Sequence, residues 1–242
     1  MKKQMLASAV LASLGAVVSL GAQAATVNNG DILHISSGIP NTGYVTGGSY
    51  YGVDTNGNSQ ITTPEKAPLV EGTTGLVIGV ISYPGAYHPG APTASDTNAV
   101  TAPDFFNGST GSWYSTSPIT GNTTNGLNMS GWNWAWNTLS SIPMGSGAWQ
   151  PGNCAALGCT GYTFTNGVGR FQWDGVYGHA YLLDYTSTIA AGDPSGLGGF
   201  QFYVHLEGTV AAAPVPIPAA IWLFGSGLLG LLGMTRLRKP SV

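Results

Sequence analysis

The sequence predicts an all-β fold, an antiparallel β-sandwich of jelly-roll type, between an N-terminal signal peptide and a single C-terminal transmembrane helix. Gly, Asn, Ser, Thr and Pro separate short apolar or alternating runs throughout residues 25–213, and many short strands joined by turns are typical of sandwiches and jelly rolls. No long apolar stripe with a helical period occurs before the C-terminal tail. We therefore expect one domain over residues 25–213, preceded by residues 1–24 and followed by residues 214–242.

Residues 1–24 have the pattern of a secretory signal peptide. Lys2 and Lys3 provide a positive n-region, residues 5–20 a short apolar region, and Ala22 and Ala24 a small-x-small cleavage site. We expect the export machinery to carry the chain across the inner membrane and signal peptidase to cleave it after Ala24.

The clearest strand is predicted over residues 200–210. Its side chains alternate between an apolar face and a mixed polar face, namely Phe200, Phe202, Val204 and Leu206 against Gln201, Tyr203, His205 and Glu207. Further strands are predicted over residues 32–36, 76–82, 127–136, 162–165, 170–177 and 179–186, and residues 83–125 are predicted to be loops. We expect the core to join the C-terminal strands to residues 76–82.

The charge balance of the domain excludes some partners. Lys66 and Arg170 are its only basic residues and all ten acidic residues lie in it, a balance of 2 − 10 = −8 with His neutral. Binding of nucleic acid or of anionic lipid headgroups requires a basic face, so neither is expected. The same balance is compatible with binding divalent cations.

The tail has the pattern of a membrane anchor. Residues 217–234 carry no charge, and a helix of that length covers about 27 Å, close to the thickness of about 30 Å of a bilayer's hydrocarbon core. We expect Trp222 near the outer interface and the basic cluster of Arg236, Arg238 and Lys239 in the cytoplasm. The domain would then face away from the cytoplasm.

The order of motifs in the tail carries a family resemblance. Val215, Pro216, Pro218 and Ala219 come first, then the apolar run, then the basic cluster. Over residues 214–242 this arrangement resembles the PEP-CTERM sorting signals of Gram-negative bacteria, and more closely the VPLPA-CTERM variant, with Ile217 where the PEP form has Glu. The resemblance implies processing by a membrane protease of the exosortase type. It also implies a cargo domain associated with exopolysaccharide, biofilm or floc matrix, kept on the membrane or released to the surface.

Residues 54–65 form the sharpest candidate metal site. Counted from position 1, oxygen ligands fall at positions 1, 3, 5, 7 and 12, which are Asp54, Asn56, Asn58, Gln60 and Glu65. Over these residues the chain resembles an EF-hand or dockerin-type calcium loop, although Ser59 replaces the Gly of the sharp turn and no entering helix precedes it. With only two charged ligands, we expect weak Ca²⁺ binding, about 10⁻⁴–10⁻³ M. The alternative is an Asn/Gly-rich turn between strands.

The two cysteines and three tryptophans offer further candidates. Cys154 and Cys159 in an exported chain predict a local disulfide, with free thiols as the alternative. Trp132, Trp134 and Trp136 would share one face of a strand. A bulge at the preceding Gly131 could send these indoles into the core, which we favour because large aromatics carry much of a core's buried area. The alternative is an exposed platform that stacks on sugar rings.

Polar residues of the C-terminal strands do not form a recognised catalytic motif. His205 and Glu207 share a strand face, with His179 and Asp184 nearby in the sequence, and such groups serve either as a metal or acid–base site or as ordinary polar-face residues. The sequence has no Gly-x-Ser-x-Gly elbow, His-Glu-x-x-His or phosphate-binding loop. We therefore expect a non-enzymatic surface or matrix protein, with a carbohydrate-binding module and a polysaccharide hydrolase as the alternatives.

Overall fold

A computed structural model of the protein describes residues 24–41, 44–72, 74–81, 100–105, 109–136 and 139–214, with the isolated positions 224, 226 and 229. Within these ranges no helix is long and apolar enough to cross a membrane. The predicted signal peptide up to residue 23 lies outside the described residues, as do the sorting and anchor residues Val215, Pro216, Pro218, Ala219, Trp222, Arg236, Arg238 and Lys239. Those assignments stay predictions.

Short strands make up most of the described regular structure. In chain order they are β1 (Ile32–Ile35), β2 (Pro40–Asn41), β3 (Tyr44–Val45), β4 (Tyr50–Asp54), β5 (Lys66–Pro68), β6 (Val70–Glu71), β7 (Leu76–Val77), β8 (Val100–Phe105), β9 (Ser109–Ser115), β10 (Gly121–Asn122), β11 (Gly126–Asn128), β12 (Trp132–Trp136), β13 (Leu139–Pro143), β14 (Val168–Trp173), β15 (Ala180–Thr188) and β16 (Gln201–Ala211). A 3₁₀ turn covers Thr63–Glu65, and the helix α1 covers Cys154–Leu157.

All pairings between these strands are antiparallel, which confirms the predicted all-β class. One sheet has nine described strands in the order β10-β11-β14-β15-β16-β1-β7, with β4 and β5 attached through β16. A second sheet has the order β13-β12-β9-β8-β6, and β2 pairs with β3 separately. The longest strand, β16, organises the first sheet, because β15 covers one of its edges while β4 and β1 share the other.

The two larger sheets contribute to one apolar core. From β16 come Phe202, Val204 and Leu206, and from the second sheet come Trp113 and Trp134, whose rings stack with centroids 5.6 Å apart. Burying apolar area stabilises the fold by about 25 cal/mol per Å², and large aromatics remove the most area per residue from water. The predicted apolar face of residues 200–210 is therefore confirmed.

Several predicted strands differ from the observed ones. Residues 127–136 form two strands in different sheets, and residues 162–165 form only an isolated bridge from Thr165 to Val168. The strand predicted over residues 76–82 covers Leu76–Val77, and β7 pairs with β1 rather than with β16. The region predicted as loops contains β8, β9 and β10, because pairing with neighbouring strands imposes extended backbone where the local pattern is weak.

The tryptophans of β12 lie in the core rather than on an exposed platform. Trp132 and Trp134 are 1% and 0% exposed, and Trp136 packs half-buried against the same cluster. A sugar-stacking role is therefore wrong for the first two. The expected bulge at Gly131 is instead a turn from one sheet to the other, where an added Cβ would lie 2.5 Å from the Ser117 backbone nitrogen.

Candidate functional site

The candidate site lies on the outer face of the nine-stranded sheet, beneath a segment that we call the cap, residues 148–164. Apolar side chains of the cap pack with the sheet's outer aromatics in a second cluster, which contains Val45, Tyr50, Ile61, Trp149, Leu157, Cys159, Phe164 and Tyr203. The Trp149 indole N–H donates to the carbonyl of Phe202 at 2.9 Å, which fixes the cap to β16. The outer face is therefore partly buried.

Beneath the cap, one row of cross-strand partners crosses β14, β15, β16 and β4. Its members are Arg170, Asp184, His205 and Tyr50. Asp184 is 3% exposed, and its Oδ2 accepts from an Arg170 guanidinium nitrogen at 3.1 Å. Its Oδ1 accepts from the Tyr203 hydroxyl at 2.8 Å and from His205 Nδ1 at 2.7 Å. The Asp184 network consists of Arg170, Asp184, Tyr203 and His205. Its hydrogen-bond donors offset the free-energy cost of burying the Asp184 carboxylate.

The His205 ring lies between two carboxylates, one bonded and one nearby. Because a carboxylate only accepts, Nδ1 carries the proton that it shares with Asp184, and Nε2 lies 3.6 Å from a carboxylate oxygen of Glu207. The ring stacks on Tyr50 at a centroid distance of 5.0 Å. An imidazole oriented by a carboxylate is a geometry used in acid–base chemistry, but the His205 side chain is only 14% exposed here. The geometry fits a structural interaction.

Burial sets the electrostatics of the neighbouring groups. It raises the pKa of Tyr50, and the negative charges of Asp184 and Glu207 raise that pKa further. Burial also raises the pKa of Tyr203, again with Asp184 adding to the effect. The Lys66 ammonium lies 4.3 Å from the centre of the Tyr50 ring, and burial lowers the pKa of that lysine. Both phenols therefore stay neutral around the Asp184 carboxylate.

A disulfide between Cys154 and Cys159 closes the part of the cap that touches the network, which confirms the predicted pairing and excludes free thiols. Arg170 donates to the Gly158 carbonyl at 2.7 Å. Gly158 has a left-handed φ of 76°, the usual end of a helix, and this conformation closes α1 inside the disulfide loop. The cap thus supplies a backbone acceptor for the network's cation.

The Asp54 loop, residues 54–65, is closed by its own hydrogen bonds. Asp54 Oδ1 accepts from the backbone nitrogens of Gly57 at 2.8 Å and Asn58 at 3.2 Å, and Oδ2 accepts from that of Ser59 at 2.7 Å. Ser59 takes the left-handed conformation, with φ of 57°, that the sharp-turn glycine of a calcium loop would provide. A strand, β4, enters the loop, as expected from the absence of a helical pattern.

Glu65, at the end of the loop, turns back toward its beginning. Its Oε1 accepts from the Thr55 backbone nitrogen at 3.1 Å and from the Asn56 amide at 3.2 Å, while Oε2 accepts from the Thr62 nitrogen at 2.8 Å. Burial raises the pKa of Glu65, but the hydrogen bonds from Thr62 and Thr55 outweigh it and hold the pKa below its ordinary value. Both acidic side chains proposed as calcium ligands therefore accept protein donors, which a bound cation would have to rearrange.

The Asp54 loop and the cap are joined through one amide. The Asn153 side chain accepts from the Ile61 nitrogen at 3.1 Å and donates to the Ile61 carbonyl at 2.7 Å. Gly152 donates to the Ser59 carbonyl at 2.7 Å, and the Ile61 side chain is 1% exposed in the cap cluster. The loop, the disulfide and the Asp184 network therefore form one continuous structure.

Beside the cap, the outer face carries an open groove with a volume of about 760 Å³. The cross-strand row Gln172, Leu182 and Glu207 runs through it, one row away from the Asp184 network. Trp173 and Thr209 also line the groove. It therefore combines hydrogen-bonding and apolar side chains on the uncapped part of the sheet.

Of the polar residues predicted as candidates on the C-terminal strands, His205 and Asp184 are in contact, whereas His179 lies apart from them. His179 pairs with Asp174 at 2.7 Å, and this pair is exposed, so it is not part of the Asp184 network. Arg170 and Tyr203 contact Asp184, although no motif in the sequence marks either of them as a site residue. The one available signal was that Arg170 is one of two basic residues in the domain, yet its partner depends on strand register, which the sequence did not specify.

Within the described residues, no three His, Cys, Asp or Glu side chains come together in a way that would hold a metal ion. Comparison of the chain with protein-family models, curated proteins and solved structures finds no match.

Proposed function

We propose that the chain is an exported surface or matrix protein, sorted to the membrane by its tail and processed there by an exosortase-type protease, with a structural or adhesive role. The observation that carries the proposal is the disulfide of the cap. Disulfides persist in oxidising compartments outside the cytoplasm, so a folded outer face that includes one agrees with the signal peptide predicted from the sequence. Two antiparallel sheets around one core also support the jelly-roll-like sandwich that we propose for the domain.

Cell fractionation tests this proposal. We expect the full chain in the membrane or surface fraction, with Cys154 and Cys159 protected from alkylation, and a chain ending at residue 213 in the soluble exported fraction. A variant with Arg236, Arg238 and Lys239 neutralised should show altered retention. Loss of the protein from the producing bacterium should weaken the cohesion of its matrix. Free cysteines in a cytoplasmic full-length chain would contradict the proposal.

A carbohydrate-binding role is the second candidate, and the groove favours it. Its polar side chains can hydrogen-bond hydroxyl groups while the exposed side chain of Leu182 offers apolar surface to the faces of sugar rings. The groove replaces the tryptophans of β12 as the proposed contact. Glycan-array binding of the full chain should fall at least several-fold in Gln172→Ala and Glu207→Ala, whereas an Ile39→Ala control on another exposed surface should bind normally. Equal binding by all variants would exclude the groove.

We also propose that the Asp54 loop binds one Ca²⁺ weakly, through Asp54, Asn56, Asn58, Gln60 and Glu65. The left-handed Ser59 and the inward turn of Glu65 support this role. Millimolar Ca²⁺ should raise the melting temperature relative to chelator by a few degrees, because a ligand that binds only the folded state stabilises it. Asp54→Asn should remove the shift. If Ca²⁺ raised the melting temperature of this variant as much as that of the wild type, the ion would bind outside the Asp54 loop.

A further inference from the structure

We propose that the domain contacts the bilayer through an apolar rim around the point where the chain leaves toward its tail. The rim consists of Val80, Ile81, Val176 and Tyr177, and its partner is the neutral lipid surface. This inference rests on the proposed anchoring of the tail, since only an anchored domain is held against a bilayer.

The exit point is fixed by a buried carboxylate. The backbone nitrogen of Ala213, two residues after β16 ends, donates to Asp31 Oδ1 at 3.1 Å. Asp31 is 1% exposed and also accepts from the Asn28 backbone nitrogen at 2.8 Å. The chain therefore leaves the domain from a defined place, beside the segment that precedes β1.

One side of the rim is attached to the same carboxylate. The Tyr177 hydroxyl donates to Asp31 at 3.1 Å and accepts from the Asn28 amide at 2.9 Å. Tyr177 is nevertheless 43% exposed, and the neighbouring Val176 is 47% exposed. A tyrosine with a bonded hydroxyl and an exposed ring is suited to the interface between water and lipid.

The other side of the rim is attached to Gly30, next to Asp31. The Gly30 nitrogen donates to the Ile78 carbonyl at 2.8 Å, and a Cβ added at Gly30 would lie 2.9 Å from that of Ala213. Two and three residues after Ile78, Val80 and Ile81 are 46% and 53% exposed. Exposed apolar side chains therefore flank the exit from two directions.

Chain length places this end of the domain near the membrane. Ile217, where the predicted membrane-spanning run begins, comes four residues after Ala213, and four extended residues cover at most about 14 Å. The rim cannot lie far from the bilayer that receives the run. Because the domain has a charge balance of 2 − 10 = −8 and neither Lys66 nor Arg170 belongs to the rim, the contact is apolar rather than electrostatic.

Fluorescence quenching of the full chain in phosphatidylcholine vesicles tests the rim. An environment-sensitive fluorophore is attached to Val176→Cys or Ile81→Cys, with the native disulfide left oxidised. Ile39→Cys is the control, because Ile39 is 59% exposed and lies beyond the opposite end of β1 from the exit. At the two rim positions, aqueous iodide should quench several-fold less than at Ile39, and a lipid with a nitroxide headgroup should quench more.

Three other results are possible, and each would overturn the inference for a different reason. Equal iodide quenching at all three positions, in chains that float with the vesicles, would show that the tail anchors the chain but that the rim does not contact the bilayer. Shielding from both quenchers that increases with protein concentration would assign the surface to a second copy of the chain. Failure of the chain to float with vesicles would contradict the anchoring itself.

Discussion

The Asp54 loop and the Asp184 network satisfy buried or half-buried carboxylates in opposite ways. Asp54 accepts from three backbone nitrogens within five residues of itself. Asp184 instead accepts from side chains that lie 14, 19 and 21 residues away on other strands. The first arrangement follows from local backbone geometry, whereas the second exists only when three strands have the correct register.

Because their partners differ, the two carboxylates stabilise different parts of the molecule. Local acceptors shape a loop and are partly available in any compact conformation of that loop. The Asp184 network holds β14, β15 and β16 together and reaches the cap through Arg170. We therefore expect the network to contribute more to global stability than the loop, and the following predictions rank the two.

Asp184→Ala should produce the largest effect. Removing the anionic partner of a buried charge pair takes the carboxylate away from Arg170, Tyr203 and His205, which lowers the free energy of unfolding by about 3–5 kcal/mol. Urea unfolding of the purified protein measures the change. The isosteric Asp184→Asn should lose less, since it retains an acceptor for Tyr203. A loss for Asp184→Ala no larger than that of a loop variant would invalidate the ranking.

Replacing Cys154 and Cys159 together by Ala should have the next largest effect. A disulfide that closes so short a loop contributes about 2 kcal/mol through the entropy of the unfolded chain. Thermal unfolding with and without dithiothreitol measures it: the reductant should lower the melting temperature of the wild type to near that of the variant and leave the variant unchanged. If the reductant leaves the wild type unaffected, the closed cap does not support the network.

Asp54→Ala should destabilise by about 1–2 kcal/mol in the presence of chelator. Three backbone nitrogens lose a hydrogen bond to the carboxylate, but the Asn58 nitrogen keeps the Asn56 side-chain oxygen as an acceptor, and exposed neighbours in the loop let water replace part of the interaction. Urea unfolding of Asp54→Ala and Asp184→Ala under the same conditions measures the difference between their free energies of unfolding. Asp193→Ala is a matched control, because Asp193 also accepts from a backbone nitrogen close in sequence, that of Ser195, in a different loop.

Glu65→Gln should have the smallest effect, visible as a change in pH dependence. The pKa of Glu65 is lower in the folded than in the unfolded protein, so its charge stabilises the fold above the unfolded-state value of about 4.3. This contribution disappears as the pH falls through the folded-state pKa. Wild-type stability should therefore decrease more steeply with acidification than that of the variant. Parallel curves for the two proteins in acid would show that Glu65 makes no pH-dependent contribution.

The sequence alone determined the features that depend on near neighbours. Alternation along residues 200–210 determined which side chains of β16 enter the core, and the spacing of Cys154 and Cys159 indicated their disulfide. The Asp54 loop is likewise closed by residues near one another in the sequence, as the bonds of Glu65 to Thr55 and Asn56 show. Such features are encoded locally because the partners lie a few bonds apart along the chain.

Only the tertiary structure decided the features that depend on register and on what covers a face. Arg170, Asp184 and His205 form one row because three strands align, and a shift of one residue would place these side chains on the opposite face. The tryptophans of β12 are buried because a second sheet lies against them, not because of their own spacing. The cap similarly converts a predicted polar face into a buried network. Long-range pairing of this kind leaves no periodic signal in the sequence, since the same local pattern is compatible with several partners.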